Sequence, residues 1–141
     1  MEHRSDCPIS YTLDVFGDKW SFLILRDMIT HGKSSFLEWK ASDEKIAPSV
    51  LTAKLALLVR EGFLVKKASP QNASKFLYYL TEKGIETIPI ILDMFAFGGK
   101  YMNPEGNSSF IQQLRTNRES TITGIQEAMR AKRKAALGEV N

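Results

Sequence analysis

Apolar side chains recur every three or four residues along most of this 141-residue chain. Only between residues 62 and 81 does the pattern change, to short dense apolar runs around a polar loop. A first helix is predicted from Pro8 to Phe16, with Asp6 or Cys7 as its cap and Gly17 as its stop. The second starts after Asp18, a good N-cap, and runs to His31-Gly32. Trp20, Leu23, Ile24 and Met28 mark its inner face, and because Phe22, Leu25 and Ile29 are apolar too, little of it can face water. The third carries a capping box, Ser35 with Glu38, and packs Phe36, Leu37 and Trp39. A fourth opens at Pro48, whose missing N–H would be unpaired there anyway. Its Leu51, Leu55, Leu58 and Val59 share one face, Ser49, Thr52, Ala53 and Ala56 the other, and Gly62 ends it.

Residues 63–65 and 76–80 are strand-like. The loop between them, Ser69 to Ser74, has turn chemistry, with Lys66, Lys67 and Lys75 on its shoulders. Thr81 then caps a long fifth helix in which Ile85, Ile88, Leu92, Phe95 and Gly99 recur. Pro89 lies inside it and is expected to kink it. A second apolar edge, Ile91, Met94 and Phe97, implies burial on two sides, hence a homodimer seam that includes Ile88, Ile91, Leu92 and Phe95. Tyr101 to Ser108 reads as a linker. The last segment has a capping box, Ser109 with Gln112, and a broken helical pattern through Phe110, Ile111, Leu114, Ile122, Ile125 and Met129. The expected fold is α+β and mostly helical: a winged helix-turn-helix with a two-stranded β wing and extra C-terminal dimerisation helices. Its domains would be residues 1–101, including the long fifth helix, and residues 102–141, a linker and C-terminal helix with a basic tail.

Composition narrows the class. Hydrophobic residues make up 43% and charged residues 25%, ordinary for a globular protein, and a net charge of +3 is compatible with a nucleic-acid partner. The single cysteine, Cys7, rules out an intramolecular disulfide and fits a reducing cytoplasm. Met1 leads into a charged segment, so no secretory signal is expected, and the longest apolar run, Phe22 to Leu25, is too short to cross a bilayer. A cytoplasmic protein with no membrane partner is expected.

A helix with a small, polar outer face beside a basic hairpin suits docking on double-stranded DNA. Ser49, Thr52 and Ala53 would approach base edges, since hydroxyls serve several bases and small apolar groups can touch a thymine methyl. Lys33, Lys40, Lys54, Lys66, Lys67 and Lys75 are the candidate phosphate contacts, with Arg60 near the backbone; such contacts supply affinity and register without sequence information. His3 and His31 form no metal site with one distant cysteine, and no cofactor is expected. From Arg115 to Lys134 six basic residues face two acidic ones, which reads as a solvated helix end with some reach toward DNA. No phosphate-binding loop, zinc-protease motif, paired-cysteine motif or nucleophile elbow occurs, so no catalytic residue is expected.

Taken in order, several motifs resemble the HxlR-type winged helix-turn-helix transcriptional regulators. They are Cys7-Pro8, Leu13, Gly17-Asp18-Lys19-Trp20, Leu23 through Asp27, Phe36-Leu37-Glu38, Pro48 with Leu51-Thr52 and Leu55, Glu61 through Val65, Tyr79 through Gly84, and Pro89-Ile90-Ile91. The resemblance covers residues 7 to 100. It implies a small homodimeric repressor or activator on a palindromic operator, with basic residues at Lys33 and Lys75. Some members sense oxidants or electrophiles through a cysteine at the position of Cys7, whose place at a helix N-terminus favours an anion. A redox or electrophile signal through Cys7, or a small-molecule effector, is the input so implied. The chain departs from the family where Ala47 replaces a capping serine, Ser49 a frequent lysine, Ala53 a glutamine or arginine, and Ala56-Leu57-Leu58 an Arg-Glu-Leu. The groove-facing surface is therefore poor in long polar side chains, which supports an alternative: a winged-helix protein–protein interaction module without specific DNA readout.

Overall fold

The structure, a computed structural model, describes residues 2–103 and 108–139. Two compact units are present, Met1–Tyr79 and Leu80–Asn141.

In the first unit, α1 (Pro8–Phe16) starts behind Cys7, an extended N-cap residue whose side chain makes no capping bond. Helix α2 (Ser21–His31) begins later than its predicted cap suggests. Asp18 still does the capping chemistry: its carboxylate accepts from the backbone N–H groups of Trp20 at 2.8 Å and Ser21 at 2.9 Å, and from the Ser21 hydroxyl at 2.6 Å. Those bonds pull residues 18–21 into a turn before the first helical residue. The buried face of α2 is Ser21, Ile24, Leu25, Asp27 and Met28, whereas Trp20 and Leu23, expected inside, are half-buried.

Helix α3 (Phe36–Lys40) has the predicted capping box, with both reciprocal Ser35–Glu38 bonds present. Trp39 is buried, its indole N–H donating to the Ile24 carbonyl at 3.1 Å. Leu37, expected to pack, is exposed instead, because five residues make little more than one turn and Trp39 takes the inward position. Helix α4 (Pro48–Arg60) buries Leu51, Leu55 and Leu58, and Gly62, at φ +83°, turns the chain away in a conformation that strains a side-chain-bearing residue. The hairpin follows: β1 (Leu64–Ala68) pairs with β2 (Phe76–Leu80). The predicted first strand, 63–65, is therefore shifted, since the hairpin ladder extends through Lys66, Lys67 and Ala68. A bridge between Ser35 and Leu77, and the Tyr78 N–H on the Ser34 carbonyl at 2.8 Å, fasten the start of α3 to β2.

In the second unit the predicted long fifth helix is two. Thr81 does cap a helix, but α5 spans only Glu82–Ile85, and α6 runs from Ile88 to Met102. Pro89 is not an interior kink: it occupies the first turn of α6. Continuing α5 through it would set the proline ring against the Ile85 carbonyl, so the helix breaks at residues 86–87, and the Thr87 hydroxyl donates to the Gly84 carbonyl at 2.6 Å. Helix α7 (Ser109–Thr116) is capped by Ser108, whose hydroxyl accepts from Ile111 N–H at 3.2 Å, rather than by Ser109. Helix α8 (Arg118–Leu137) follows after Asn117. Of the predicted linker, residues 104–107 lie outside the described residues. Ile85, Ile88, Ile91, Leu92, Ile111, Leu114 and Ile122 form this unit's core.

Candidate nucleic-acid interface

Helix α4 presents Ser49, Thr52, Ala53, Ala56 and Arg60 exposed, so the three predicted base-contact residues share one accessible face. Ala47 offers no side-chain cap, and Pro48 alone pre-sets the first turn. Lys54 is half-buried and reaches back to Asp18, Nζ to Oδ2 at 3.6 Å. Burial alone would raise the Asp18 carboxyl. The Ser21 hydroxyl, the Trp20 and Ser21 N–H groups and the Lys54 charge outweigh that and hold it below its ordinary value.

The wing stands beside this helix within the same unit. Its tip is an ordered turn: the Asn72 side-chain carbonyl accepts from the Ser74 N–H at 3.1 Å and hydroxyl at 2.7 Å, and Ser69 N–H donates to the Lys75 carbonyl at 2.8 Å. Lys66, Lys67 and Lys75 are exposed on it, and the Lys66 ammonium lies 4.7 Å from the Phe76 ring centroid. Lys40 is exposed at the end of α3. Lys33 is different. Its Nζ pairs with buried Asp27 at 3.2 Å, so in the unbound chain this cation is already engaged.

Sequence reasoning missed the cluster around Asp27. The carboxylate accepts from Arg26 Nη2 at 2.7 Å and Nε at 3.0 Å, and Arg26 Nη1 also donates to Glu44 at 3.2 Å. Burial opposes the Arg26 charge, yet Asp27 and Glu44 outweigh it and raise the guanidinium's pKa. The available signal was an Arg-Asp pair inside an otherwise apolar helix. Also missed was the cavity of about 320 Å3 between α3, α4 and the hairpin, lined by Phe36, Leu55, Ala56, Val59 and Tyr78 with Thr52, Arg60 and Lys66. Burial there raises the Tyr78 phenol.

The remaining candidates lie elsewhere. Cys7 is exposed. Ile88, Ile91 and Leu92, predicted at a seam, are buried in the chain's own second core, and Phe95 packs edge-on against Phe110 at 5.3 Å. The large apolar residues that α6 exposes include Ile90, Met94, Phe97 and Tyr101 at 44–70%, with Phe95 at 37% and Met102 at 90%. Basic residues of the C-terminal segment committed within the second unit include Arg118 to Asp93 at 2.8 Å, and Arg130 and Arg133 to Glu82 at 2.8 and 3.0 Å. Among the described residues no group of three or more His, Cys, Asp or Glu side chains could hold a metal ion, and no helix is long and apolar enough to cross a membrane.

Comparisons with known proteins bear on the family and the fold. The family model described as HxlR-like helix-turn-helix matches residues 15–106. YdeP of Bacillus subtilis, an uncharacterized HTH-type transcriptional regulator, is 38% identical over 105 residues, covering 72% of this chain and 81% of YdeP. Among solved structures, PA1607 aligns with a TM-score of 0.65 at 33% identity, covering 74% of this chain and 72% of PA1607. The redox regulator HypR in its reduced form aligns with a TM-score of 0.61 at 32% identity, covering 69% of this chain and 95% of HypR.

Proposed function

The chain belongs to the HxlR-like helix-turn-helix family of transcriptional regulators, and from that premise we propose that it is a cytoplasmic homodimer that binds a palindromic DNA operator. The observation that carries this is the pairing of a small, exposed polar face on α4 with an ordered, lysine-bearing hairpin. A flat array of long side chains would read more bases; short ones let the helix sit deep in a major groove. Ser49, Thr52 and Ala53 face base edges. Lys40, Lys66, Lys67 and Lys75 meet phosphates, and Lys33 and Lys54 join them by leaving Asp27 and Asp18. Residues 1–101 form the DNA-binding part, with 102–141 appended. The dimer seam lies along α6, where buried Ile88, Ile91 and Leu92 support the exposed Ile90, Met94, Phe97 and Tyr101 from beneath, with Phe95 at the edge.

Selection of bound fragments from a random DNA pool tests the reading. An inverted repeat whose half-sites are centred about 34–36 Å apart is expected. Lys75→Ala should weaken binding to all fragments and lower the salt slope by about one unit, whereas Thr52→Ala should relax preference at one base step. A Lys75→Ala variant with altered sequence preference and an unchanged salt slope would reverse these roles. No DNA binding at low salt would favour the protein-interaction module instead.

Similarity to HypR supports a redox or electrophile input through exposed Cys7. Two Cys7 thiols from two chains give up two protons and two electrons to an oxidant such as diamide, which becomes the hydrazine as the disulfide forms. Cys7→Ser should bind DNA normally and ignore diamide; equal DNA affinity of treated and untreated wild type would remove the sensor role.

A further inference from the structure

The cavity beside α4 has an unusual pairing of walls. Phe36, Val59 and Tyr78 are half-buried and give it aromatic and aliphatic surfaces, while Thr52, Arg60 and Lys66 are exposed and contribute a hydroxyl and two cations. Among the described residues no carboxylate lines it. The acid nearest in sequence, Glu61, meets Arg60 only at 3.7 Å, Nε to Oε1, a loose pair that leaves the guanidinium fork available to a better acceptor. The Lys66 ammonium rests over the Phe76 ring, a contact it can keep while accepting an anion on its other side. At about 320 Å3 the space is within the range that holds small organic ligands. Aromatic walls favour a flat ring, since offset and edge-on contacts with Phe and Tyr add to the burial of apolar area. The two cations, Arg60 and Lys66, favour a negative charge at the ring's edge. A sugar–phosphate strand alone supplies the charge but no body for the apolar walls.

We propose that this cavity binds a flat aromatic carboxylate, and that the bound anion and DNA exclude each other. The exclusion rests on the regulatory reading above, in which Thr52 faces a base and Lys66 a phosphate: both side chains line the cavity, so an occupant that engages them withdraws them from DNA. The protein then has a chemical input distinct from Cys7, placed at the reading surface itself.

The test uses the 141-residue chain with 2-naphthoate as probe and 2-naphthamide as its uncharged counterpart, followed by titration calorimetry and by amide chemical shifts. Saturable binding of one naphthoate per chain is expected, with shifts concentrated at Thr52, Val59, Lys66 and Tyr78 and the amide bound roughly tenfold more weakly. Arg60→Gln combined with Lys66→Gln should cost roughly tenfold, and Ala56→Phe should abolish binding by filling the space while circular dichroism shows the fold intact. Non-saturable binding, equal affinity for the amide, shifts centred elsewhere or an indifferent double variant would each overturn the site. DNA binding without naphthoate is measured first. Its absence overturns the regulatory reading and the exclusion together, while the site stands or falls on the titration. Naphthoate that saturates the cavity yet leaves bound DNA in place overturns the exclusion alone.

Discussion

In the first unit a carboxylate is buried among cations; in the second a guanidinium is buried among acceptors. Asp27 holds Arg26 at 2.7 Å and Lys33 at 3.2 Å, with the His31 ring nitrogen at 3.5 Å. Arg133 donates to the Leu80 carbonyl at 3.1 Å, Glu82 at 3.0 Å and Glu139 at 3.1 Å. The two solutions leave opposite surfaces. Around α4 and the hairpin, lysines stand exposed beside small side chains, a surface suited to a polyanion. Along α6, the ion pairs of the second unit face α8 and α5, and the outward stripe of Ile90, Met94, Phe97 and Tyr101 is apolar, with a spacing of four, three and four residues. Such a stripe is larger than scattered surface hydrophobics and suits a partner of its own kind. On the proposed reading, DNA contact and pairing would rest on different chemistry in different parts of one chain.

The sharpest way to break the apolar side of this contrast is a charge placed beneath or upon the stripe. Ile88 is fully buried, so Ile88→Asp should cost about 4 kcal/mol or more and unfold the second unit, seen as loss of cooperative melting. Phe97→Asp places the same carboxylate on the exposed face. The single chain should stay folded, within about 0.5 kcal/mol of wild type, while dimer affinity falls roughly a hundredfold. Light scattering at low micromolar concentration reads the difference. A wild type of clean monomer mass would end the pairing role of α6.

Next in size is removal of each buried charge. Asp27→Asn leaves Lys33 without its anion and Arg26 with Glu44 alone, and Arg133→Met leaves the Leu80 carbonyl without its donor; each should cost about 2–3 kcal/mol in urea unfolding. Their effects on DNA should diverge. Asp27→Asn frees Lys33 and should raise affinity and salt slope together, whereas Arg133→Met should change neither. Equal DNA effects of the two would mean that the cation cluster of the first unit does not face DNA.

Much of this architecture is legible in local sequence. The Ser35–Glu38 box, Pro48 at the head of α4, the inner row of Leu51, Leu55 and Leu58, and the Phe76–Leu80 strand all depend on neighbours within a few residues. Errors came where two local signals compete. Pro89 is compatible with a kink or with the first turn of a new helix, and the Thr87–Gly84 bond that decides for the new helix is a turn contact with no periodic signature. Ser108 and Ser109 are both capping residues, and only the backbone direction selects Ser108. The exposed face of α4 was legible because its pattern lies on one helix. The Asp27 cluster and the cavity were not, since they join α2 to the residues before α4, and α3 to α4 and β2. Arg133 and Glu82 are 51 positions apart, and in sequence Arg133 is one more charge in a basic tail.

The smallest expected effect separates charge from packing in the second unit. Hydrogen bonds from Arg130 and Arg133 are the largest cause that lowers the Glu82 carboxyl to about 2, from an ordinary 4.5. A carboxyl depressed on folding stabilises the native state above its unfolded value, and that contribution is lost as the proton binds in both states. Both guanidiniums stay charged over this range, so the Glu82 contribution should be complete above about pH 4.5 and fade as pH falls toward about 2. Its size is modest, because the Glu82 side chain is 58% exposed and water screens the pair: below about 1 kcal/mol. Glu82→Gln should therefore melt slightly earlier than wild type at neutral pH, and the gap should close on acidification and shrink in high salt. A gap that persists unchanged near pH 2 would assign Glu82 a packing role and leave Arg133 held by the Leu80 carbonyl and Glu139.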